Sequence, residues 1–375
     1  MRPIQMVDLL GQYDKIQEEI DQAVTDVIRS SAYINGPEVK AFQKELEEYL
    51  DVAHVIPCAN GTDALQLCMM ALDLKPGDEV ITASFTYVAT AEVIALLGLT
   101  PVLVDVDPDT FNIDLDAIKD AITEKTKAIV PVHLFGQCAD MEPLMTLAQE
   151  HGLYVIEDTA QAIGSTYTYA NGTSRKGGCM GDFGTTSFFP SKNLGCFGDG
   201  GAIFTNDDDL ASKARMMANH GQTKRYYHDM IGVNSRLDSI QAAILRIKLR
   251  HLDDYIAARQ RAAEYYDERF ASVERILTPV RASNSDHVFH QYTLKTNGTS
   301  RDEIVEHLTN KGLPAMIYYP VPLHMQKAYL DPRYSEGMFP VTENLCERVF
   351  SLPMHTELTH EQQDLLVDSV LEAIS

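Results

Sequence analysis

The chain has 375 residues, of which 45% are hydrophobic, so it is long enough for two packed domains with a sizeable core. Its formal net charge of −23 at pH 7 argues against binding to nucleic acid or to anionic membrane surfaces, because a polyanion would be repelled. We expect a cytoplasmic protein, because the start of the chain lacks a basic stretch followed by an apolar core, and no apolar run approaches the roughly 20 residues that a membrane helix needs.

Helical patterns open the chain at residues 13–30 and 37–50, and Gly36 with Pro37 must break any helix between them. Short runs rich in valine and isoleucine then alternate with helical patterns. The predicted strands are 54–56, 79–82, 101–105, 128–133 and 154–157, and the predicted helices between them are 64–72, 88–97, 115–122 and 141–151. This alternation predicts βαβ units and a largely parallel sheet.

The second half of the chain adds further elements. The predicted strands are 183–188, 201–205, 291–296 and 315–319, and the predicted helices are 238–270, 301–311 and 360–373. We therefore expect an α/β fold in two parts. Residues 1–255 would form a large domain with an N-terminal arm, and residues 256–375 a smaller α+β domain.

Polar residues follow several of the predicted strands, where ligands bind in open parallel sheets. Residues 60–63, Asn-Gly-Thr-Asp, form a glycine turn entering a helix, which can hold a phosphate but is also a very common helix start. Tyr87 follows the second strand and offers an aromatic face, although core packing is the commoner role of such rings. Glu157 and Asp158 end an apolar strand, which is costly unless a cationic partner is present.

Lys192 lies between Phe189-Pro190 and Gly195, without a neighbouring charge. Apolar surroundings favour the neutral amine, a nucleophile towards aldehydes, although most lysines in loops are exposed. Ser187 adds a hydroxyl group for a phosphate. An amine, a carboxylate for a pyridinium nitrogen, an aromatic face and phosphate donors are together what pyridoxal 5′-phosphate requires. The six cysteines are scattered without a CxxC pair, so we expect neither a metal site nor disulfides.

Four segments resemble the nucleotide-sugar aminotransferases of the DegT/DnrJ/StrS type. They are residues 60–65, 85–92, 157–161 and 187–195. The resemblance covers nearly the whole chain, from Gly36 to His355, and departs from the family pattern at the glycine-rich stretch 167–180. It implies a fold-type-I transferase that uses pyridoxal 5′-phosphate and works as a homodimer.

The resemblance also implies roles for single residues. Lys192 would bond the cofactor, and Asp158 would pair with its pyridine nitrogen. The other implied contacts are Gly61, Thr62 and Ser187 at the phosphate, Tyr87 stacked on the ring and Gln161 close to it. Asn234 would reach the phosphate of the neighbouring subunit, so that the active site is shared. Relatives with histidine in place of the lysine act as dehydratases, and Lys192 disfavours that activity.

Residues 58–66, 220–222 and 233–238 most resemble enzymes that aminate C3 of UDP-2-acetamido-2-deoxy-3-oxo-glucuronate, with glutamate as donor, in glycan precursor biosynthesis. Arg236 resembles the arginine that contacts the uronate carboxylate there, although an ion pair with Asp238 is an equally good interpretation. Tyr319 and His324 are expected to help bind the sugar nucleotide.

Other functions remain open at this point. Related enzymes aminate C3 or C4 of dTDP- or UDP-linked keto-6-deoxysugars. A protein of this fold could also bind pyridoxal phosphate and regulate without catalysis, because a fold does not guarantee an activity. A dinucleotide-dependent oxidoreductase is disfavoured, since no GxGxxG motif opens the first βα unit.

Overall fold

The computed structural model describes residues 3–375, so Met1 and Arg2, which open the predicted N-terminal arm, lie outside the described residues. The helices are α1 (Leu9–Ser30), α2 (Pro37–Leu50), α3 (Gly61–Ala71), α4 (Ala89–Leu96), α5 (Leu115–Ala121), α6 (Met141–His151), α7 (Asp208–Ala218), α8 (Ser239–Leu249), α9 (Leu252–Phe270), α10 (Arg301–Asn310), α11 (Pro340–Arg348) and α12 (His360–Ala373). The strands are β1 (His54–Cys58), β2 (Glu79–Ala83), β3 (Thr100–Val104), β4 (Thr126–Val130), β5 (Tyr154–Asp158), β6 (Thr166–Thr168), β7 (Ser174–Lys176), β8 (Phe183–Ser187), β9 (Gly201–Thr205), β10 (Gln222–Lys224), β11 (Tyr227–His228), β12 (Ile276–Leu277), β13 (Tyr292–Thr296) and β14 (Val349–Leu352).

A seven-stranded sheet with the order β1-β9-β8-β5-β4-β2-β3 forms the centre of the fold. The pairs β2–β3, β2–β4, β4–β5 and β5–β8 are parallel, whereas β9 runs antiparallel to β8 and to β1. The expected α/β class with a mixed, mostly parallel sheet is therefore confirmed.

Both faces of this sheet are covered by helices. On β2, Val80 packs in one apolar cluster with residues of α3, α4 and α7, and Ile81 packs in another with residues of α5 and α6. Val155 and Ile156 on β5 divide between the same two clusters. Because successive side chains of a strand point to opposite faces, a strand buried on both faces must be apolar throughout. This explains the continuous valine and isoleucine runs.

A smaller antiparallel sheet with the order β12-β13-β14 packs in one cluster with residues of α9, α10 and α12. The boundary predicted between residues 255 and 256 falls inside α9, and the division into two domains stays a prediction. Among residues 3–375, no helix has the length and apolar character needed to cross a membrane.

Two predicted elements were wrong. The helix predicted for 238–270 is interrupted at Arg250 and His251, where a tight turn lets both Leu249 and Leu252 be buried. The strand predicted for 315–319 is absent, and only Met316 forms an isolated bridge, with Ser351. Prolines flank that segment at positions 314 and 320, and a proline cannot donate to a sheet ladder.

Several elements were not predicted. They are α7, α11, β12, β14 and the two hairpins β6–β7 and β10–β11. The first hairpin occupies the glycine-rich stretch 167–180, and the second lies in the segment that leads to Asn234. Each hairpin has strands of only two or three residues, too short to show a periodic pattern in the sequence.

Candidate active site

A cavity of about 890 Å³ lies at the carboxyl ends of β2, β5 and β8. Its wall is built by the start of α3, the segment after β2, the end of β5 and the loop after β8. The predicted site residues that line it are Gly61, Thr62, Tyr87, Asp158, Gln161, Ser187, Lys192 and Tyr319. The parallel strands bring these residues together because their carboxyl ends meet at one edge of the sheet.

One end of the cavity is suited to a phosphate. Asn60 caps α3, because its side-chain Oδ1 accepts a hydrogen bond from the Asp63 N–H at 2.8 Å. A Cβ atom on Gly61 would lie only 2.7 Å from the Cβ of Ser187, so glycine is required for this close approach of α3 to β8. The first turn of α3, with Thr62, thus lies next to Ser187 in the cavity wall, and an anion there would be stabilised by the helix N-terminus.

Asp158, the last residue of β5, presents a carboxylate to the cavity. One oxygen accepts a hydrogen bond from Thr90 Oγ1 at 3.1 Å, and the other accepts one from the Ala160 N–H at 3.0 Å. Burial raises the pKa of this carboxyl, while the Ala160 N–H and the charge of Lys192 act in the opposite direction. A cationic ring nitrogen next to Asp158 would stabilise its ionised form.

The neighbouring acid, Glu157, has a structural role. It is fully buried and accepts hydrogen bonds from His133 Nε2 at 2.9 Å and from three backbone N–H groups. Those N–H groups belong to Gly178, Met180 and Gly181, at 2.9, 2.6 and 2.7 Å. Glu157 therefore anchors the segment that follows the β6–β7 hairpin, and only Asp158 needs a partner from the cavity.

Lys192 contributes the only lysine or arginine side chain among the residues that line the cavity. Burial lowers its pKa to about 8, with the charge of Asp158 opposing this shift. A Cβ atom on Gly195 would lie 2.3 Å from the carbonyl oxygen of Pro190, so the loop can turn back on itself only with glycine there. The amine is thus presented from a tight turn, and a substantial fraction of it is neutral near pH 8.

Three further side chains form the wall above Asp158. Gln161 accepts a hydrogen bond from the Phe135 N–H at 2.7 Å, and its amide nitrogen donates to the Tyr319 hydroxyl at 3.0 Å. The ring of Tyr87 lies 6.4 Å from that of Tyr319 and is 59% exposed, so one of its faces is free to stack on a planar ligand.

Asn234 and Arg236 do not line this cavity. Arg236 lines a second cavity of about 620 Å³, formed largely by residues of the β10–β11 hairpin, while Asn234 is exposed and forms an isolated bridge with Asn219. Among residues 3–375, Arg236 makes no ion pair with Asp238, and its guanidinium donates to Asn219 Oδ1 at 3.4 Å. The structure therefore does not support an ion pair between Arg236 and Asp238.

His324 also lies away from the cavity. Its ring is fully buried, with Nδ1 2.8 Å from Ser84 Oγ and Nε2 3.1 Å from a Glu343 oxygen. Because both ring nitrogens already have hydrogen-bond partners, we correct the prediction that His324 contacts the substrate. His324 instead attaches the segment after Tyr319 to the end of β2.

Sequence reasoning missed four residues near the site. Thr90 holds Asp158, and Thr86, His290 and Gln291 line the cavity. The polar pair His290-Gln291 directly before the strand β13 was the available signal, because polar side chains next to a buried strand need hydrogen-bond partners.

The residues present fit pyridoxal 5′-phosphate. The aldehyde needs the amine of Lys192, the ring nitrogen needs the carboxylate of Asp158, and the phosphate needs the start of α3. When bound, the cofactor supplies an electron-withdrawing ring that stabilises negative charge on the carbon next to the reacting nitrogen.

The chain is similar in sequence to known proteins over almost its full length. It is 45% identical over 374 residues to the pleiotropic regulatory protein of Geobacillus stearothermophilus, covering 98% of each chain. It is 46% identical over 356 residues to the UDP-2-acetamido-2-deoxy-3-oxo-D-glucuronate aminotransferase of Pseudomonas aeruginosa, covering 95% of this chain and 96% of the relative. It is 45% identical to the UDP-N-acetyl-3-dehydro-α-D-glucosamine 3-aminotransferase of Acidithiobacillus ferrooxidans, covering 96% and 95%.

A solved structure has the same fold. The crystal structure of S. venezuelae DesV in complex with a ketimine intermediate superposes with a TM-score of 0.94 at 40% identity, covering 99% of this chain and 98% of DesV. The sequence also matches an aminotransferase family over residues 14–371. The expected fold, cofactor and class of enzyme are thus confirmed, and the chain belongs to the DegT/DnrJ/EryC1/StrS aminotransferase family of pyridoxal-phosphate-dependent sugar aminotransferases.

Proposed function

We propose that this enzyme transfers the amino group of glutamate to C3 of UDP-2-acetamido-2-deoxy-3-oxo-glucuronate, for glycan precursor synthesis. The observation that carries the proposal is the position of Arg236 in a cavity with other basic side chains. These are His220, Lys224, Arg225 and His228. The Pseudomonas aeruginosa relative, at 46% identity, acts on this uronate by name.

An anionic substrate suits this local concentration of positive charge. The chain as a whole carries a net charge of −23 and repels a nucleotide diphosphate at long range, so its binding requires a local cationic surface. Arg236 also offers a planar guanidinium, which can bind a carboxylate with two parallel hydrogen bonds. Its single long hydrogen bond to Asn219 leaves most of its donors available.

The proposal includes a homodimer with a shared active site. Arg236 lines a different cavity from Lys192, and Asn234 lines neither cavity, so we infer that a second copy presents both residues to the cofactor. Large apolar side chains around the hairpin support such an interface. Ile231 is 87% exposed and Tyr226 is 77% exposed, and apolar surface of this kind is normally covered by a partner.

The cavity suggests a division of roles among its residues. Gly61, Thr62 and Ser187 would hold the cofactor phosphate, and Tyr87 would cover one face of the ring. Asp158 would keep the ring nitrogen protonated. Lys192, as a neutral amine, would act as the base that accepts a proton from the carbon bearing the amino group and donates it again.

The relatives leave the substrate open to a direct test. The Acidithiobacillus ferrooxidans enzyme is named for a glucosamine, which lacks the carboxylate of the glucuronate, at nearly the same identity. The regulatory name of the Geobacillus stearothermophilus relative suggests a non-catalytic role, but the cavity here brings together Lys192, Asp158 and Gln161. A complete catalytic set favours catalysis.

The test is transamination in reverse. Purified protein is incubated with 2-oxoglutarate and a panel of UDP- and dTDP-linked 3-amino and 4-amino sugars, and the glutamate formed is measured. We expect the 3-amino glucuronate to give the highest kcat/KM. Equal or faster reaction of the 3-amino glucosamine or of a 6-deoxysugar would contradict the assignment of the uronate.

A further inference from the structure

Three buried polar atoms of the active-site wall have no hydrogen-bond partner within residues 3–375. They are Thr86 Oγ1, His290 Nδ1 and Gln291 Oε1. All three residues line the cavity that contains Lys192, and Thr86 and His290 are only 3% and 7% exposed. A buried polar atom without a partner is destabilising, so three of them around one cavity indicate that a ligand supplies the missing hydrogen bonds.

The backbone of these residues is held in place by the surrounding structure. The carbonyl oxygen of His290 accepts a hydrogen bond from the buried Arg259 guanidinium at 3.3 Å, and the Gln291 N–H donates to the Phe135 carbonyl oxygen at 3.3 Å. Thr86 directly follows Phe85, whose ring centre lies 6.0 Å from that of Tyr319. The backbone that carries the three side chains is therefore anchored.

The cofactor does not need these atoms. Each polar part of pyridoxal phosphate already has partners in the cavity: the start of α3 and Ser187 for the phosphate, Asp158 for the ring nitrogen and Lys192 for the aldehyde carbon. Gln161 remains for the ring hydroxyl, because its amide nitrogen has a second hydrogen besides the one donated to Tyr319. Thr86, His290 and Gln291 are thus additional to the cofactor's requirements.

The chemistry of the three side chains indicates the class of ligand. A hydroxyl, an amide and an imidazole carry no charge here, because burial and the nearby charge of Lys192 keep the pKa of His290 well below its usual value. Glutamate and 2-oxoglutarate bring two carboxylates, which favour cationic partners. The hydroxyl and acetamido groups of a sugar both donate and accept hydrogen bonds, and they match neutral polar partners.

We propose that Thr86, His290 and Gln291 form a neutral subsite that hydrogen-bonds the hydroxyl or acetamido groups of the sugar ring. The subsite rests on the proposed function, because it requires a sugar to occupy this cavity. It would distinguish the two substrates that use the cavity in turn: the sugar is recognised here, and the amino donor is not.

The first test separates the two half-reactions by following the absorbance of the bound cofactor. Thr86→Val keeps the shape of the side chain and removes its hydroxyl, and Gln291→Met does the same for the amide. We expect each variant to lower kcat/KM about tenfold for the amino sugar that the wild type uses best, as when one neutral hydrogen bond is lost, and to leave the glutamate half-reaction within about twofold. Equal losses in both half-reactions, or no loss in either, would overturn the subsite.

The second test uses the protein without cofactor, and Thr82 provides a matched control. Thr82 lies on β2 and is also buried, but its hydroxyl donates to the Val130 carbonyl oxygen at 2.9 Å. Thr82→Val should lower the Tm because it removes a satisfied hydrogen bond, whereas Thr86→Val should leave the Tm unchanged or raise it. A fall in Tm of the same size for both variants would contradict the unpaired state of Thr86.

The two proposals can fail separately. If the wild type reacts with glutamate but with no sugar of the panel, the proposed function fails, and the subsite fails with it. If the wild type aminates a sugar and the variants show no selective loss, only the subsite is overturned.

Discussion

Lys192 and Asp158 lie in the wall of one cavity, and the charge of each opposes the effect of burial on the pKa of the other. Burial alone favours a neutral amine and a neutral acid. The mutual attraction of the two groups moderates both pKa shifts. The site therefore keeps an amine whose pKa is close to neutral pH, and a carboxyl group that can be ionised when a cationic ring is present.

Replacing Lys192 by alanine should abolish most of the activity. Without this amine, no other lysine lines the cavity to move the proton, so we expect turnover to fall by at least about 10²- to 10⁴-fold while part of the cofactor binding remains. Borohydride reduction of the wild type followed by peptide mapping should label Lys192. Labelling of a different lysine would show that the assignment is wrong.

The pKa of Lys192 predicts the pH dependence of cofactor incorporation. Only the neutral amine attacks an aldehyde, and a pKa of about 8 means that the neutral fraction rises as the pH increases through 8 and is nearly complete above pH 9. The rate of uptake of pyridoxal phosphate by cofactor-free protein should follow this curve. A rate that continues to rise towards pH 10.5, as for an ordinary lysine, would contradict burial of the amine.

Replacing Asp158 by asparagine should slow the reaction strongly without unfolding the protein. Asparagine keeps the shape and can still accept from Ala160 N–H, but it cannot hold a proton on the ring nitrogen. The midpoint of the cofactor-uptake curve should also move below pH 8, because the charge that raises the pKa of Lys192 is removed. Near-normal turnover with a normal circular dichroism spectrum would count against the role of Asp158.

Mixing subunits tests the shared site. Lys192→Ala and Asn234→Ala proteins are each inactive if both residues are needed, but a mixed dimer would contain one site with both defects and one intact site. With random exchange of equal amounts, half of the dimers are mixed, so about a quarter of the wild-type activity should return. The matched control mixes Lys192→Ala with Asp158→Asn. Both residues belong to the same chain's cavity, so every site in that mixture keeps a defect and no activity should return.

Arg236→Ala should change the choice of substrate. Removing one partner of a buried charge pair is expected to cost about 2 to 4 kcal/mol in kcat/KM for the uronate, because the carboxylate loses its cationic partner. The loss should be much smaller for the corresponding glucosamine. Arg225→Ala, at the exposed tip of the β10–β11 hairpin, serves as the control for a general loss of positive charge, because Arg225 lines the same cavity as Arg236. Equal losses on both sugars would show that Arg236 binds the diphosphate or supports the structure.

The sequence by itself determined the class of fold and most of the predicted residues that line the cavity. Periodic apolar runs reveal strands buried on both faces, and the residues directly after them must meet at one edge of a parallel sheet. Asp158, Ser187 and Lys192 could therefore be placed together without coordinates.

Only the tertiary structure decided which polar residues face the cavity. Glu157 and Asp158 are adjacent in the chain, yet Glu157 is satisfied by backbone N–H groups and Asp158 lines the cavity. His324 was expected in the site and is buried behind it, whereas Thr86 and His290 line the cavity with unpaired atoms. The physical reason is that hydrogen-bond partners far apart in the chain, such as Ser84 and His324, are set by packing, and packing leaves no local signal in the sequence.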